Sequence, residues 1–428
     1  MSRKLRVRMY RMGFGDCFLL SLTGDGRDRH ILIDCGSITD GKAQVSRATQ
    51  DFIKTCTPRQ GPPTIDLVVC THRHRDHVGG FNDPAWRNVH VGAVWMPWTE
   101  DPDDLDATRI RNGQSSFALA LSRALGPAAF DADAAPLEGA AADGVDDVNA
   151  FAMALNALTN EAAMATLHRG FAGAPPRVFL PIKDTVCEAR TLPGVPGLKI
   201  HVLGPPRSEA AMASMQPPHD EVFLTRLARR AAAKAAPKPD APPVPEPQGA
   251  FRASWRLPKD AVNHAKMGWT FEAADERTVN LMAEEPDGDL AAAIDRAVNN
   301  TSLILMFEIG DHWLLFPGDA QWGGWEAALH EPRCARLLAR TTFYKVGHHG
   351  SENATPRSLV ESVIQGRYTA FLPTRSMTQW PNIPRGPLVD AMTARSVVVV
   401  RSDDEAAAAN AAFKVEPGLY IEWEAEVA

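Results

Sequence analysis

The sequence predicts an α/β protein of four layers, in which two sheets pack face to face and helices cover their outer sides. Three observations predict it. Residues 1–100 hold short apolar runs of strand type, residues 299–428 hold a second such set, and the stretch between them turns alanine-rich, helical and proline-punctuated.

In the first set, LRVRMYRM, FLLSL, HILIDCG, TIDLVVCTH and VGAVWMP are each short, rich in Val, Ile and Leu, and bounded by Gly, Asp or Pro, as strands are. Residues 101–170 change to SSFALALSRALG and VNAFAMALNALTNEAAMATLHRG, where apolar residues recur at spacings of three and four and favour amphipathic helices. Strands return briefly at RVFLPI and LKIHVLGPP. Residues 208–236 read as a helix ending in LTRLARRAAAKAA, and the proline density of residues 236–249 marks an extended linker. The second set comprises TSLILMFEIG, HWLLFPGD, TTFYKVGHHG, YTAFLP and SVVVVRS, interleaved with helical text such as GWEAALHEPRCARLLAR.

Composition narrows the class. With 45% hydrophobic and 23% charged residues, the chain is neither a disordered nor a collagen-like nor a membrane-bundle sequence. The formal charge of -7 argues against a protein that coats nucleic acid through its overall charge, and leaves room for a locally basic groove. Six cysteines are scattered without a CxxC pair, several in apolar runs, and are expected to be reduced and buried. Arginines interrupt the apolar residues of the N-terminal segment, which therefore lacks the continuous core of a signal peptide, and no stretch is long and apolar enough for a membrane helix. The expected compartment is the cytoplasm.

The chemistry concentrates in VVCTHRHRDHVGG. Residues at alternate positions of a strand end project to one side, so His72 and His74 can converge on one ion while the following turn aims Asp76 and His77 at an adjacent position. Imidazole with carboxylate suits Zn²⁺ and admits Mn²⁺ or Fe²⁺. Further donors follow other strands: Asp319 in WLLFPGD, and His348 and His349 in YKVGHHGSEN, where glycine on either side lets the backbone approach a crowded centre. Alone, a GD after a strand is more often a turn, and an HH pair is weak.

Their order carries a resemblance. HxHxDHxGG, then GD, then a strand-end His is the signature of the metallo-β-lactamase fold, and the details resemble the soluble hydrolase domain of ComEC-type competence proteins. The matching pieces are GFGDCFLL with ILIDCG, THRHRDHVGG, NNTSLILMFEIGDHWLLFPGDAQ and KVGHHGSEN, which cover about the first hundred residues and residues 299–353. No membrane channel of the competence-protein kind is expected here, so transport is not carried over.

The resemblance implies an αββα sandwich with two divalent ions, Zn or Mn. It makes His72, His74, Asp76, His77, Asp319 and His348 the metal ligands, with Asp76 also central to catalysis. His349 then supports a ligand or protonates a leaving oxygen; the sequence alone does not separate the two histidines, and His348, nearer the strand, is preferred as the ligand. Asp34 and Asp16 are expected to orient ligand imidazoles, or to be buried turn-capping carboxylates. Where dinuclear relatives place a further His, this chain has Asn299 and Asn300. An amide is a poorer zinc ligand than imidazole, so the site of His72 and His74 is expected to be weak or Mn²⁺-dependent. The asparagines, Asn300 above all, are alternatively donors to a substrate phosphate, or caps of the turn before TSLILMF.

Two metals with an acid nearby suit phosphodiester cleavage, and the resemblance points to DNA, single strands especially. The competing expectations are a small-molecule hydrolase of the same fold, acting on a lactone, thioester or cyclic nucleotide, and a metal-binding subunit without catalysis. Arg226, Arg229 and Arg230, with Lys234 and Lys238, make the end of the insertion helix basic, either as one wall of a strand-binding groove or as a solvated face. Trp95, Trp98, Trp255, Trp269, Trp322 and Trp325 are available for base stacking, although most tryptophans in such a chain are core. The same basic, proline-rich stretch suggests a protease partner that activates the enzyme by cutting between Arg229 and Lys238. In domain terms, residues 1–100 and 299–428 form two halves of one hydrolase core, separated by an insertion at 101–298, because His77 and Asp319 lie 242 positions apart and must meet.

Overall fold

A computed structural model of the chain describes residues 3–23, 27–38, 41–112, 160–182, 187–214, 217–223, 298–377, 382–411 and 413–427. Its strands, in chain order, are β1 (Arg3–Tyr10), β2 (Cys17–Leu22), β3 (Arg29–Cys35), β4 (Thr64–Ile65), β5 (Leu67–Val69), β6 (His90–Val91), β7 (Val94–Pro97), β8 (Arg177–Leu180), β9 (Glu188–Thr191), β10 (Leu198–Gly204), β11 (Ile304–Ile309), β12 (His312–Phe316), β13 (Phe343–Lys345), β14 (Thr369–Leu372), β15 (Val398–Arg401), β16 (Lys414–Glu416) and β17 (Tyr420–Val427). They form an eight-stranded sheet ordered β16-β17-β1-β2-β3-β5-β7-β8 and a seven-stranded sheet ordered β15-β14-β13-β12-β11-β10-β9, with β4 and β6 as a separate pair.

The period-two alternation of the strands assigns their faces. In β1 and β3, Leu5, Val7, Ile31 and Ile33 point into the layer between the sheets, where they meet Ile200, Leu305, Phe307 and Phe316. Phe18 and Phe316 touch edge to face across this layer, their ring centroids 5.5 Å apart. The opposite faces are covered by helices. Leu32 and Val68 pack with Ala48 and Phe52 of the helix Gly41–Thr55, while Met306 and Leu315 pack with Trp325 and Ala328 of the helix Trp322–His330 and Leu338 of Pro332–Leu338. The order helix, sheet, sheet, helix is the expected one.

Several details depart from the sequence reading. The run TIDLVVC is two strands, because Asp66 between them turns aside to accept Arg27, Arg29 and the His30 amide. The helix expected over residues 208–236 spans Glu209–Ala213 among the described residues, and Pro217 and Pro218, which lack an N–H, follow it. The final strands leave the C-terminal sheet: β17 pairs antiparallel with β1 along its whole length, from Arg3 opposite Val427 to Tyr10 opposite Tyr420. The insertion supplies β8 to one sheet and β9 and β10 to the other. Cys187 and Cys334 are joined as a disulfide, Cα atoms 5.6 Å apart, whereas Cys17, Cys35, Cys56 and Cys70 are free and buried. With 147 positions between the two partners, only packing brings them together. Among the described residues, no helix is long and apolar enough to cross a membrane.

Candidate metal centre

The loop after β5 starts extended, with His74 at φ −65° and ψ 148°, and then closes into the short helix Arg75–Val78, whose His77 and Val78 amides both donate to the His74 carbonyl. This bend places His72, His74, Asp76 and His77 inside, none more than 3% exposed. Two close approaches hold it. A Cβ on Gly36 would overlap the Asp76 carbonyl carbon and the Arg75 carbonyl oxygen, so the turn after β3 must be glycine for the loop to lie against it. From the insertion, Asn160 Nδ2 donates to the Arg73 carbonyl at 2.6 Å.

His77 is the hub. Its Nδ1 lies 2.8 Å from Asp34 Oδ2 and its Nε2 lies 3.0 Å from Asp319 Oδ2 and 3.6 Å from Asp76 Oδ2. Asp34 is itself fixed, accepting the Thr71 amide at 2.7 Å and the Thr71 hydroxyl at 2.6 Å. His72 Nε2 and His74 Nδ1 face each other at 3.1 Å. His349 Nε2 approaches Asp76 Oδ2 at 3.2 Å, while its Nδ1 is 2.9 Å from the Pro373 carbonyl. A carbonyl only accepts, so the Nδ1 of His349 carries a proton and Nε2 faces the centre. Three groups result whose ligand atoms lie within 4.8 Å of one another: His72, His77 and Asp319; Asp76, Asp319 and His349; Asp16, Asp34 and His77, all buried.

Charge is crowded here. Burial, the largest single influence, would raise the carboxyl groups of Asp76 and Asp319, but His77 and His349 together at Asp76, and His77, Lys345 and His348 together at Asp319, outweigh it and hold them below the usual carboxylate range. Burial would lower His77 and His349; facing carboxylates, Asp319 and Asp76 at His77 and Asp76 at His349, outweigh it and raise both. His72 and His74 are pushed down by burial and by neighbouring histidines, His74 to about 4, so their rings stay neutral with lone pairs available. At Asp16 burial prevails over Lys345 and raises the carboxyl. Neutral imidazoles beside buried carboxylates are the donor set that divalent cations take, and a cation would replace the protons that His77 and His349 otherwise carry. The residues present fit such an ion.

Residues 10–147 match the family model described as Metallo-beta-lactamase superfamily. Over those residues the chain carries a metallo-β-lactamase domain. No curated protein matches it. Superfamily members are typically metal-dependent hydrolases, and the metallo-β-lactamase sandwich accounts for the place of the centre, at one end of the two sheets where the segments after β3, β5, β12 and β13 meet.

The structure sorts the expected residues. His72, His74, Asp76, His77, Asp319, Asp16, Asp34 and His349 converge. Of the two adjacent histidines, both with left-handed backbone, φ 40° at His348 and 53° at His349, His349 is the buried one, whereas His348 was the preferred ligand from the sequence. The His348 side chain stays 22% exposed, with Nε2 4.0 Å from Asp319 Oδ2 and Nδ1 3.0 Å from Ser351 Oγ. Asn300 is not available to a phosphate. Its amide donates to the carbonyls of Ala211, Met212 and Ser214 at 2.9–3.1 Å and accepts from the Gly324 amide at 3.2 Å, clamping the insertion to the helix Trp322–His330. Asn299 is buried in the same turn, its backbone carbonyl accepting the Ser302 amide. Trp95, Trp98, Trp322 and Trp325 are buried and offer no stacking platform. Arg226, Arg229, Arg230, Lys234, Lys238, Trp255, Trp269, the linker at 236–249 and the suggested cleavage segment lie outside the described residues. Two contributors escaped the sequence reading. The Phe14 ring lies against His349, tilted 42° with ring centroids 3.9 Å apart, and Lys345 reaches Asp16 and Asp319 from the end of β13. The available signal for Lys345 was a lone cation ending an apolar strand.

Proposed function

We propose that this chain is a metal-dependent phosphodiesterase acting as a nuclease on DNA, with single strands favoured. The observation that carries the reading is His348: a partly exposed imidazole, steadied at Nδ1 by Ser351, whose Nε2 stands 4.0 Å from the Asp319 carboxylate at the rim of a buried His/Asp cluster. Phosphodiester cleavage needs a proton for the departing oxygen, and an imidazole at the edge of the centre is placed to give one. The likeness of GFGDC, NNTSL and HHGS to the hydrolase domain of ComEC-type competence proteins supports DNA as the polymer.

In this reading Asp76, Asp319 and His349 would hold one divalent cation, and His72, His77 and Asp319, with His74 beside His72, would hold a second, Zn²⁺ or Mn²⁺. When bound, such ions supply Lewis acidity that makes water a nucleophile near neutral pH and offsets charge on a phosphoryl group. The chain does the rest. Asp34 keeps the His77 ring turned, the Pro373 carbonyl keeps His349 Nε2 inward, and the imidazolium form of His348, which burial disfavours, gives its Nε2 proton to the leaving oxygen and is left neutral.

The test incubates the wild type and Asp76→Ala with labelled single- and double-stranded DNA in Zn²⁺, Mn²⁺ or EDTA. Metal-dependent cleavage lost in Asp76→Ala is expected. Cleavage that persists in the variant would refute the site, and failure with every metal, before and after limited trypsin treatment, would leave the lactone, thioester or cyclic-nucleotide hydrolase as the better reading. Faster degradation after trypsin supports restraint by the insertion and an activating protease; equal rates refute that restraint.

A further inference from the structure

Lys345 is a lysine with 2% of its side chain exposed, three residues before the histidine pair. Its ammonium protons meet three acceptors: the Gly318 carbonyl at 2.9 Å, Asp319 Oδ1 at 3.2 Å, and Asp16 Oδ2 in a still closer contact. Asp319 Oδ1 takes a second donor, the His348 amide at 3.0 Å. The backbone of Asp319 is pinned as well, its amide donating to Ser302 Oγ at 3.0 Å. With Oδ1 occupied from two directions, Oδ2 is the oxygen that faces His77. Asp319 also belongs to both ligand groups, the one with His72 and His77 and the one with Asp76 and His349.

We infer that Lys345 is a positioning residue that makes Asp319 a one-oxygen ligand shared by both halves of the centre. A carboxylate free to turn would grip a single cation with both oxygens and draw away from the other side. Held at Oδ1, Asp319 keeps Oδ2 in reach of both groups. The same contact explains Asp16: its carboxylate completes the ammonium's third bond and keeps the lysine from leaning fully onto Asp319. The inference rests on the cluster being a metal centre.

The experiment titrates metal-free full-length wild type, Lys345→Met and the double variant Asp16→Asn/Lys345→Met with Co²⁺, following ions bound per chain and the visible absorption of the bound ion, with thermal melts as a check on folding. The wild type is expected to take up two Co²⁺. Both variants are expected to lose at least tenfold in affinity for the weaker ion and to shift the absorption of the tighter one, as its carboxylate ligand changes from one oxygen to two. The double variant separates positioning from simple neutralisation of Asp16, because it removes both charges and relieves the buried carboxylate. If it binds like the wild type, Lys345 only balances Asp16 and the inference falls while the metal centre stands. If the wild type takes up no Co²⁺, the metal centre itself is refuted, and the inference with it.

Discussion

Asp34 and His77 are 43 positions apart in the chain, yet Asp34 Oδ2 lies 2.8 Å from His77 Nδ1 and the same carboxylate is gripped by the Thr71 amide and hydroxyl. The strand end after β3 therefore fixes the ring orientation of the hub histidine from behind. Asp34→Asn keeps the shape and removes the charge. It is expected to lower metal affinity about 10- to 100-fold with a melting temperature close to wild type. Isothermal titration with Zn²⁺ measures this, and unchanged affinity would show that His77 needs no orienting carboxylate.

Asn300 clamps three backbone carbonyls and the Gly324 amide. Asn300→Leu removes these bonds, while the Ala211 and Ser214 carbonyls keep the Ser214 and Gly323 amides, at a cost of roughly 1–3 kcal/mol in stability. Urea denaturation is expected to show that loss while the protein that remains folded cleaves substrate at the wild-type rate. Normal stability with lost activity would return Asn300 to the role of a phosphate donor.

Gly36 touches the loop of His72, His74, Asp76 and His77 so closely that Gly36→Ala must push the helix Arg75–Val78 outward. An overpacked contact of this kind costs about 1–3 kcal/mol, and here the displaced segment carries Asp76 and His77. The variant is expected to melt at lower temperature and to bind Zn²⁺ far more weakly than the wild type. Tight binding in a protein of lower stability would separate the loop's position from its ligand function.

His30, 3% exposed and 3.0 Å from Ser21 Oγ, is far in sequence from the ligand loop, and burial lowers its imidazole from 6.5 to about 4 against the opposing pull of Asp28 and Asp66. Between those values the unfolded chain binds a proton that the folded chain refuses. Stability from this group is therefore whole above pH 6.5, declines as pH falls, and is gone below about 4, a change of at most about 3 kcal/mol. Denaturation of metal-free protein across this window should show a smaller acid loss in His30→Gln than in wild type. Equal losses would assign the acid sensitivity to other groups.

Much of the centre was legible because its chemistry is local. His72, His74, Asp76 and His77 fall within six residues after an apolar strand, and alternation at a strand end dictates that such side chains can converge. Asp319 was legible only through its place after another strand and in the order of motifs. The two sheets and their helical covers were legible from runs of β-branched residues against helical spacing, since each pattern demands one buried face.

The sequence by itself determined the layered α/β class and the cluster of His72, His74, Asp76 and His77 after one strand. Only the tertiary structure decided which distant partners complete them. Lys345 meeting Asp16, Cys187 meeting Cys334, β17 crossing to β1, and Asn300 clamping the insertion all join segments whose local patterns carry no record of each other. Which of His348 and His349 lies inside is likewise a matter of the packed fold: His349 is buried and the His348 side chain is 22% exposed. Side-chain periodicity says that a face will be covered, and the packed fold says by what.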